Sequence, residues 1–327
     1  MLSRVADSIY WMSRYIERAE NVARFIDVNT HLILDLPVEA EEQWEPLVIT
    51  TGDREIFYEH YGEPTRENVI QFLTFDTKNP NSILSTLIKA RENARTIREI
   101  ISSEMWEQIN KLYFMVRDAM SGSEDVKNTH DFYTKVKLES HLFTGLTDTT
   151  MSHGEAWHFS RLGRLLERAD KTSRILDVKY FILLPRPDDV GSPFDNLQWA
   201  ALLKSASAFE MYRKKHRRIY HKKVAEFLIL DREFPRSIHY CLIKAEESIK
   251  SITGSKPGTF QNPAERNLGR LRSEFDYTQI SEIFSTGLHE YLDNFQSRLN
   301  QVGDSIFETF FAFRPVSGIT QFKETAE

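Results

Sequence analysis

A charged heptapeptide that occurs twice in one chain limits what the chain can fold into more than any other feature. Arg14-Tyr15-Ile16-Glu17-Arg18-Ala19-Glu20 returns 150 positions later as Arg164-Leu165-Leu166-Glu167-Arg168-Ala169-Asp170. Across Arg14–Val28 and Arg164–Val178, seven of fifteen positions are identical, including Arg14, Glu17, Arg18 and Arg24. Both copies lie in long stretches of helical periodicity. In the first, Val5, Ile9, Met12, Ile16, Ala19, Ala23 and Ile26 keep the spacing of a helix with one buried face. The repeat extends beyond the helix. At an offset of 155, Pro80-Asn81-Ser82-Ile83 to Ile97 lies on Pro235-Arg236-Ser237-Ile238 to Ile252, with nine identities in eighteen positions. Self-similarity at a fixed offset is the mark of a repeated structural unit.

The remainder of the chain has helical patterns of the same kind. They fall near 44–51, 54–61, 66–75, 83–101, 104–120, 124–144, 152–184, 195–221, 223–230, 237–253, 263–275 and 279–313. Ser82 follows Asn79-Pro80-Asn81 and is placed to cap the helix that begins there. Pro37 with Glu39-Ala40-Glu41-Glu42 ends the first long helix, Ser121-Gly122-Ser123 forms a turn, and Pro185-Arg186-Pro187 closes the second long helix. Residues 188–193 are a connector, and the tail after Phe313 is expected to fray. No alternating run reads as a strand. The expectation is an all-α fold: a single domain over 1–327, made of repeat units of about 1–150 and 151–327. The two would merge into one bundle with approximate two-fold symmetry, the long helices near its axis.

Bulk properties narrow the function. The chain has 327 residues, 41% hydrophobic and 28% charged, a balance typical of soluble globular chains. One cysteine, Cys241, leaves no disulfide framework or cysteine metal cluster and fits a reducing, cytoplasmic setting. No apolar run is long enough for a membrane span, and no leader is recognisable at Met1. A net charge of −6 argues against general nucleic-acid binding. Phosphate loops of either common type and the serine nucleophile elbow are missing, so no cofactor is called for. Cys241, in an apolar helical pattern, reads as buried rather than nucleophilic.

On a helical wheel Arg14, Glu17, Arg18, Asn21 and Arg24 fill an arc of about 120° opposite the apolar stripe. Arg164, Glu167, Arg168, Lys171 and Arg174 fill the matching arc. A purely solvated face has no reason to keep these charges, and Tyr10 and Phe25 share the first arc. The preferred reading is a partly buried network in which Glu17 and Glu167 pair with arginines of the other copy. An anion or substrate site, gripped by planar guanidinium groups, and a plain surface are the alternatives. Arg91, Asn93 and Arg95 are absent from the second copy, which reads Glu246, Ser248 and Lys250. With Arg98, these unrepeated residues are candidates for an anion pocket beside the first motif; helix-to-helix salt bridging is the alternative.

Glu155 and His158 have metal-ligand spacing, but no second such pair exists, so no metal is expected. The stretch Tyr212–Lys223 holds seven Lys or Arg, Arg213 to Lys223, and reads as one solvated helix face, a surface for an acidic protein, or a nucleic-acid contact.

The segments 10–21, 90–95 with Glu104-Met105-Trp106-Glu107 and Asn110, and Phe234-Pro235-Arg236-Ser237 resemble the bacterial alpha-E family, all-helical proteins named for a Glu-Arg motif. The resemblance covers most of the chain. It carries no agreed activity. Members are found beside circularly permuted ATP-grasp ligases and near transglutaminase-like and proteasome-like peptidases. It thus implies a protein partner of one of those kinds and an accessory or scaffold role in peptide or amide-bond synthesis or protein tagging. The alternative it leaves is an enzyme of peptide or amide metabolism with a Glu/Arg active site.

Overall fold

The computed structural model describes residues 1–34, 44–120, 129–181 and 193–312. Among these residues every regular element is helical. In chain order they are α1 (Ser3–Leu34), α2 (Glu45–Thr51), α3 (Arg54–His60), α4 (Arg66–Thr74), α5 (Ile83–Thr96), α6 (Ser103–Ala119) and α7 (Thr129–Thr150). Then follow α8 (Glu155–Phe181), α9 (Pro193–Ser205), α10 (Phe209–Lys215), α11 (His221–Leu230), α12 (Ile238–Thr253), α13 (Pro263–Tyr277), α14 (Ile280–Thr286) and α15 (Leu288–Ile306). A π turn, Phe307–Phe311, closes the described chain. The expected signals at residues 37, 39–42, 121–123, 185–187, 188–192 and after 313 lie outside the described residues.

Helix starts follow side-chain chemistry. The Ser82 hydroxyl accepts from the Ser85 amide at 3.1 Å, and Ser237 does the same for Tyr240 at 3.1 Å, each satisfying an amide with no partner inside the helix. Thr65, Ser102 and Asn262 cap α4, α6 and α13 in the same way.

Several expected boundaries shift. The pattern at 195–221 is two helices, because Ser207 takes a left-handed φ of 49° between α9 and α10. Its counterpart at the 155 offset, Gly52 (φ 82°), ends α2. The pattern at 279–313 breaks at Gly287, whose φ of 103° suits a residue without Cβ. The helix expected over 83–101 stops at Thr96, and the one expected to end at Thr144 continues to Thr150. The second long helix begins at Glu155 rather than Ser152.

The buried apolar residues form one continuous core drawn from both halves of the chain, from Ala6 and Ile9 to Val302 and Ile306. Helix α1 packs most extensively on α8, then on α5 and α7; α8 packs on α12 and α15. The minor contacts cross over: α2 packs on α8, and α9 packs on α1. At the α1–α8 contact Gly163 lets the backbones close in. A Cβ there would stand 2.4 Å from the Tyr10 carbonyl oxygen. Beside it the Ser13 and Ser160 hydroxyls meet at 2.7 Å.

Candidate functional site: an arginine–glutamate clamp and its cleft

The polar arcs of α1 and α8 face each other inside the protein. Glu167 has no exposed surface, and Glu17 retains 3%. Arg14 Nε donates to Glu167 Oε2 at 2.8 Å. Arg18 grips both oxygens of the same carboxylate, Nε to Oε1 at 2.6 Å and Nη2 to Oε2 at 3.0 Å. In return Arg168 grips Glu17 with Nε at 2.9 Å and Nη2 at 2.8 Å. The pairs Arg18–Glu167 and Arg168–Glu17 are therefore reciprocal at the 150-residue offset. Buried carboxylates demand such forked partners.

Both glutamates stay ionised. Burial opposes the charge of Glu167, but Arg18, Arg14 and Lys171 outweigh it and hold the carboxyl well below its usual range. Burial likewise opposes Glu17, and Arg168 and Arg236 overcome it in spite of the nearby Glu20 charge.

The rest of the clamp differs between the halves in a compensated way. Around Glu17 and Glu20 the additional cation is Arg236, from the turn before α12, at 3.2 Å and 2.5 Å. Around Glu167 and Asp170 it is Lys171, at 3.7 Å and 3.0 Å. The position matching Lys171 is Asn21, which donates to Glu17 Oε1 at 3.0 Å. The position matching Arg236 is Asn81, which accepts from Arg18 at 2.6 Å and donates to Asp53 at 2.7 Å. Lys171 and Arg236 thus each bring one pair a buried cation from a place the other pair does not use, and Glu167 has Arg14 besides.

Arg24 and Arg174 extend the clamp to the crossing helices. Arg24 holds Glu20 at 2.5 Å and bonds to the Ser207 hydroxyl after α9. Arg174 holds Asp170 at 3.0 Å and donates to the Thr50 carbonyl of α2 at 3.3 Å. Asp170 is buried too, yet Lys171 and Arg174 bring its carboxyl down to about 2. Arg164 is the exception. It reaches Asp148 only at 4.0 Å, and its Nε has no hydrogen-bond partner among the described residues.

Arg91, Asn93 and Arg95 do not join this network. Arg91 lies over the rings of Trp106, Tyr113 and Phe114 of α6 and donates to Asn110 at 2.7 Å. Arg95 pairs with Glu92 at 2.7 Å, Arg98 covers Trp106, and Asn93 is half-buried. An arginine on an aromatic face is a stable resting place that needs no anion. The basic run is not one helix face either. It spans the end of α10, the turn after it and the start of α11, with Lys215 paired to Asp231 at 2.7 Å. Cys241 is fully buried and its thiol is pushed up to about 12. No cluster of three or more His, Cys, Asp or Glu side chains suited to a metal occurs among the described residues.

One side of the clamp opens outward. A cleft of about 430 Å³ runs between α1, α8, α15 and the π turn. Arg14, Arg18 and Asp170 are at its charged end, and Tyr10, Trp11, Leu166, Leu299, Phe307 and Phe311 form apolar walls. Asn300, Gly303 and Asp304 line it from α15. The Arg14 guanidinium is pinned over Trp11 at 4.9 Å and donates to the Tyr10 hydroxyl at 3.1 Å. This cleft lay beyond sequence reasoning, because the π turn at 307–311 meets α1 across nearly the whole chain.

A helical protein organised around two buried, mutually clamped Glu-Arg pairs is the class these observations define. The chain belongs to the Alpha-E family, described as a predicted alpha-helical domain with a conserved ER motif, which it matches over residues 1–311. It is similar to uncharacterized proteins of Mycobacterium bovis and Mycobacterium tuberculosis, 20% identical over 94% of this chain. The chain spans 37% of the length of those relatives. No solved structure matches it. No described helix is long and apolar enough to cross a membrane.

Proposed function

We propose that this domain is a non-catalytic accessory module of a peptide- or amide-bond-forming or protein-tagging system centred on an ATP-grasp ligase. It holds an anionic or peptide ligand beside the Glu-Arg clamp while a protein partner performs the chemistry. The observation that carries this reading is the setting of Glu17 and Glu167. Each is buried, ionised and gripped by at least two cations, so neither has a proton to give, and the surrounding positive charge holds each against taking one. The competing reading makes one of them the acid or base of an amide-metabolising enzyme, with Arg14, Arg18, Arg95 and Arg168 orienting the substrate. It requires a carboxyl whose pKa is raised toward neutrality, and these are lowered. The greater length of the mycobacterial relatives supports a module that works alongside other domains.

We further read the chain as a duplicated unit acting as one domain. The reciprocal ion pairs, the crossed packing of α2 and α9, and the matching left-handed turns at Gly52 and Ser207 support that reading.

The test is reconstitution. The purified chain alone should turn over no amide, peptide or ATP, and its addition should raise product formation by an ATP-grasp ligase encoded beside it. Turnover by the chain alone, lost in a folded Glu17→Gln or Glu167→Gln variant, would establish the enzyme reading instead.

A further inference from the structure

The cleft has a counterpart on the other half of the molecule, and the difference between the two points to its use. The counterpart lies beside Ile16, Glu20 and Arg164, which match Leu166, Asp170 and Arg14 of the cleft at the 150 offset. Its outer wall is α7, through Ser140, Phe143, Thr144 and Thr147. The cleft's outer wall is α15, through Leu299, Asn300, Gly303 and Asp304, continued by Phe307 of the π turn. Four of these, Asn300, Gly303, Asp304 and Phe307, share with the α7 set the spacing i, i+3, i+4, i+7, so Phe143 corresponds to Gly303. Phe143 is buried, and the space left on its side is about 10 Å³, room for one water. The cleft beside Gly303 holds about 430 Å³.

Gly303 is not required by packing. A Cβ built there meets no atom within 4 Å, in contrast to Gly163. Its φ is not left-handed. A glycine inside a helix weakens it, so this one has its effect in the space it leaves open.

We propose that this cleft binds a singly charged carboxylate bearing an apolar, aromatic-sized side chain and an N–H group: a free amino acid or the last residue of a peptide. The assignment rests on the ligand-holding reading above and names the ligand's chemistry. Arg14 uses Nε and Nη1 within the protein, and Nη2 makes no hydrogen bond among the described residues. Held over the Trp11 ring, that guanidinium is a preset donor for a carboxylate. The volume falls in the range of small-molecule sites, about 300–1,000 Å³. Leu166, Leu299, Phe307 and Phe311 offer an apolar lining for a side chain. Asn300 and Asp304, one helical turn apart on α15, offer acceptors for an N–H. A doubly charged phosphate fits less well. Glu167 already offsets the arginines, and Asp304 and Asp170 would repel the second charge.

The test titrates the full chain with L-phenylalanine, glycyl-L-phenylalanine, glycyl-L-phenylalaninamide and inorganic phosphate by calorimetry. At least one of the two acids should bind, and the amide and phosphate at least tenfold more weakly. Tighter binding of the dipeptide identifies a peptide end, and tighter binding of phenylalanine a free amino acid. Gly303→Phe, which copies Phe143 into open space, should abolish binding without lowering the melting temperature. Equal binding of the amide, stronger binding of phosphate, failure of both acids at millimolar concentration, or unchanged binding by Gly303→Phe overturns the proposal. If the acids fail while the chain still stimulates its ligase, the ligand assignment falls and the accessory role stands. If they bind without stimulation, the accessory role falls alone.

Discussion

Replacing Arg236 by Asn tests the compensated charges of the clamp. The change copies Asn81 and leaves the buried Glu17 and Glu20 without the cation now at 3.2 Å and 2.5 Å. Breaking a buried ion pair by removing one partner costs about 3–5 kcal/mol. At roughly 2 °C per kcal/mol for a chain of this size, the melting temperature should fall by about 6–10 °C. The other half of the protein supplies the remedy. Lys171 serves Glu167 and Asp170 from the position that Asn21 occupies in the first half. Asn21→Lys in the Arg236→Asn background should therefore return about half of the lost stability, about 1.5–2.5 kcal/mol, and the coupling is at least that large. Asn21→Lys alone should destabilise, because it crowds a third cation between Arg236 and Arg24. Urea unfolding of the four proteins gives the coupling directly. A double variant no more stable than the sum of the two single changes would refute the claim that Lys171 and Arg236 supply equivalent buried cations.

Gly163→Ala should destabilise by about 1–3 kcal/mol in the same assay, since its Cβ would press on the Tyr10 carbonyl at 2.4 Å. Acid should unfold the protein. Asp170, Glu17, Glu20 and Glu167 all have depressed folded-state values, so their contribution is full above the ordinary carboxyl range. It is lost as pH falls through that range, and for Asp170 the loss completes near 2. Stability followed from pH 7 to pH 2 should therefore hold down to about pH 5, where protonation of the unfolded carboxyls begins, and decline progressively below it. Cys241, with its thiol raised to about 12, should resist iodoacetamide at pH 8 in the folded chain and react fully in guanidinium.

The helices were legible in the sequence wherever apolar spacing and capping residues agreed, as at Ser82 and Ser237. They were not legible where a single φ angle decides. Ser207 gives no composition signal for a left-handed turn, and only its alignment with Gly52 could have exposed it. The inward-facing glutamates were readable because charges opposite an apolar stripe recurred in both copies. Their partners were partly readable: Arg18 and Arg168 follow from the motif's recurrence 150 positions apart, while Arg236, Asn81 and His141, whose Nε2 meets Glu20 at 2.7 Å, come from segments whose approach only tertiary packing determines. The difference between 91–95 and 246–250 carries no sign that at Arg91 and Arg95 the aromatic rings of α6 and the neighbouring Glu92 satisfy the charges. The informative asymmetry was Phe143 against Gly303, in helices whose sequences are too divergent to align by identity.

The central claim, that the Glu-Arg motif is an ionised structural clamp and not an acid–base centre, is tested most directly by carboxyl NMR. With glutamate labelled at the side-chain carbon, Glu17 and Glu167 should show no protonation from pH 8 down to the pH at which the protein unfolds. Titration of either at or above the ordinary glutamate value near 4.3 would contradict it.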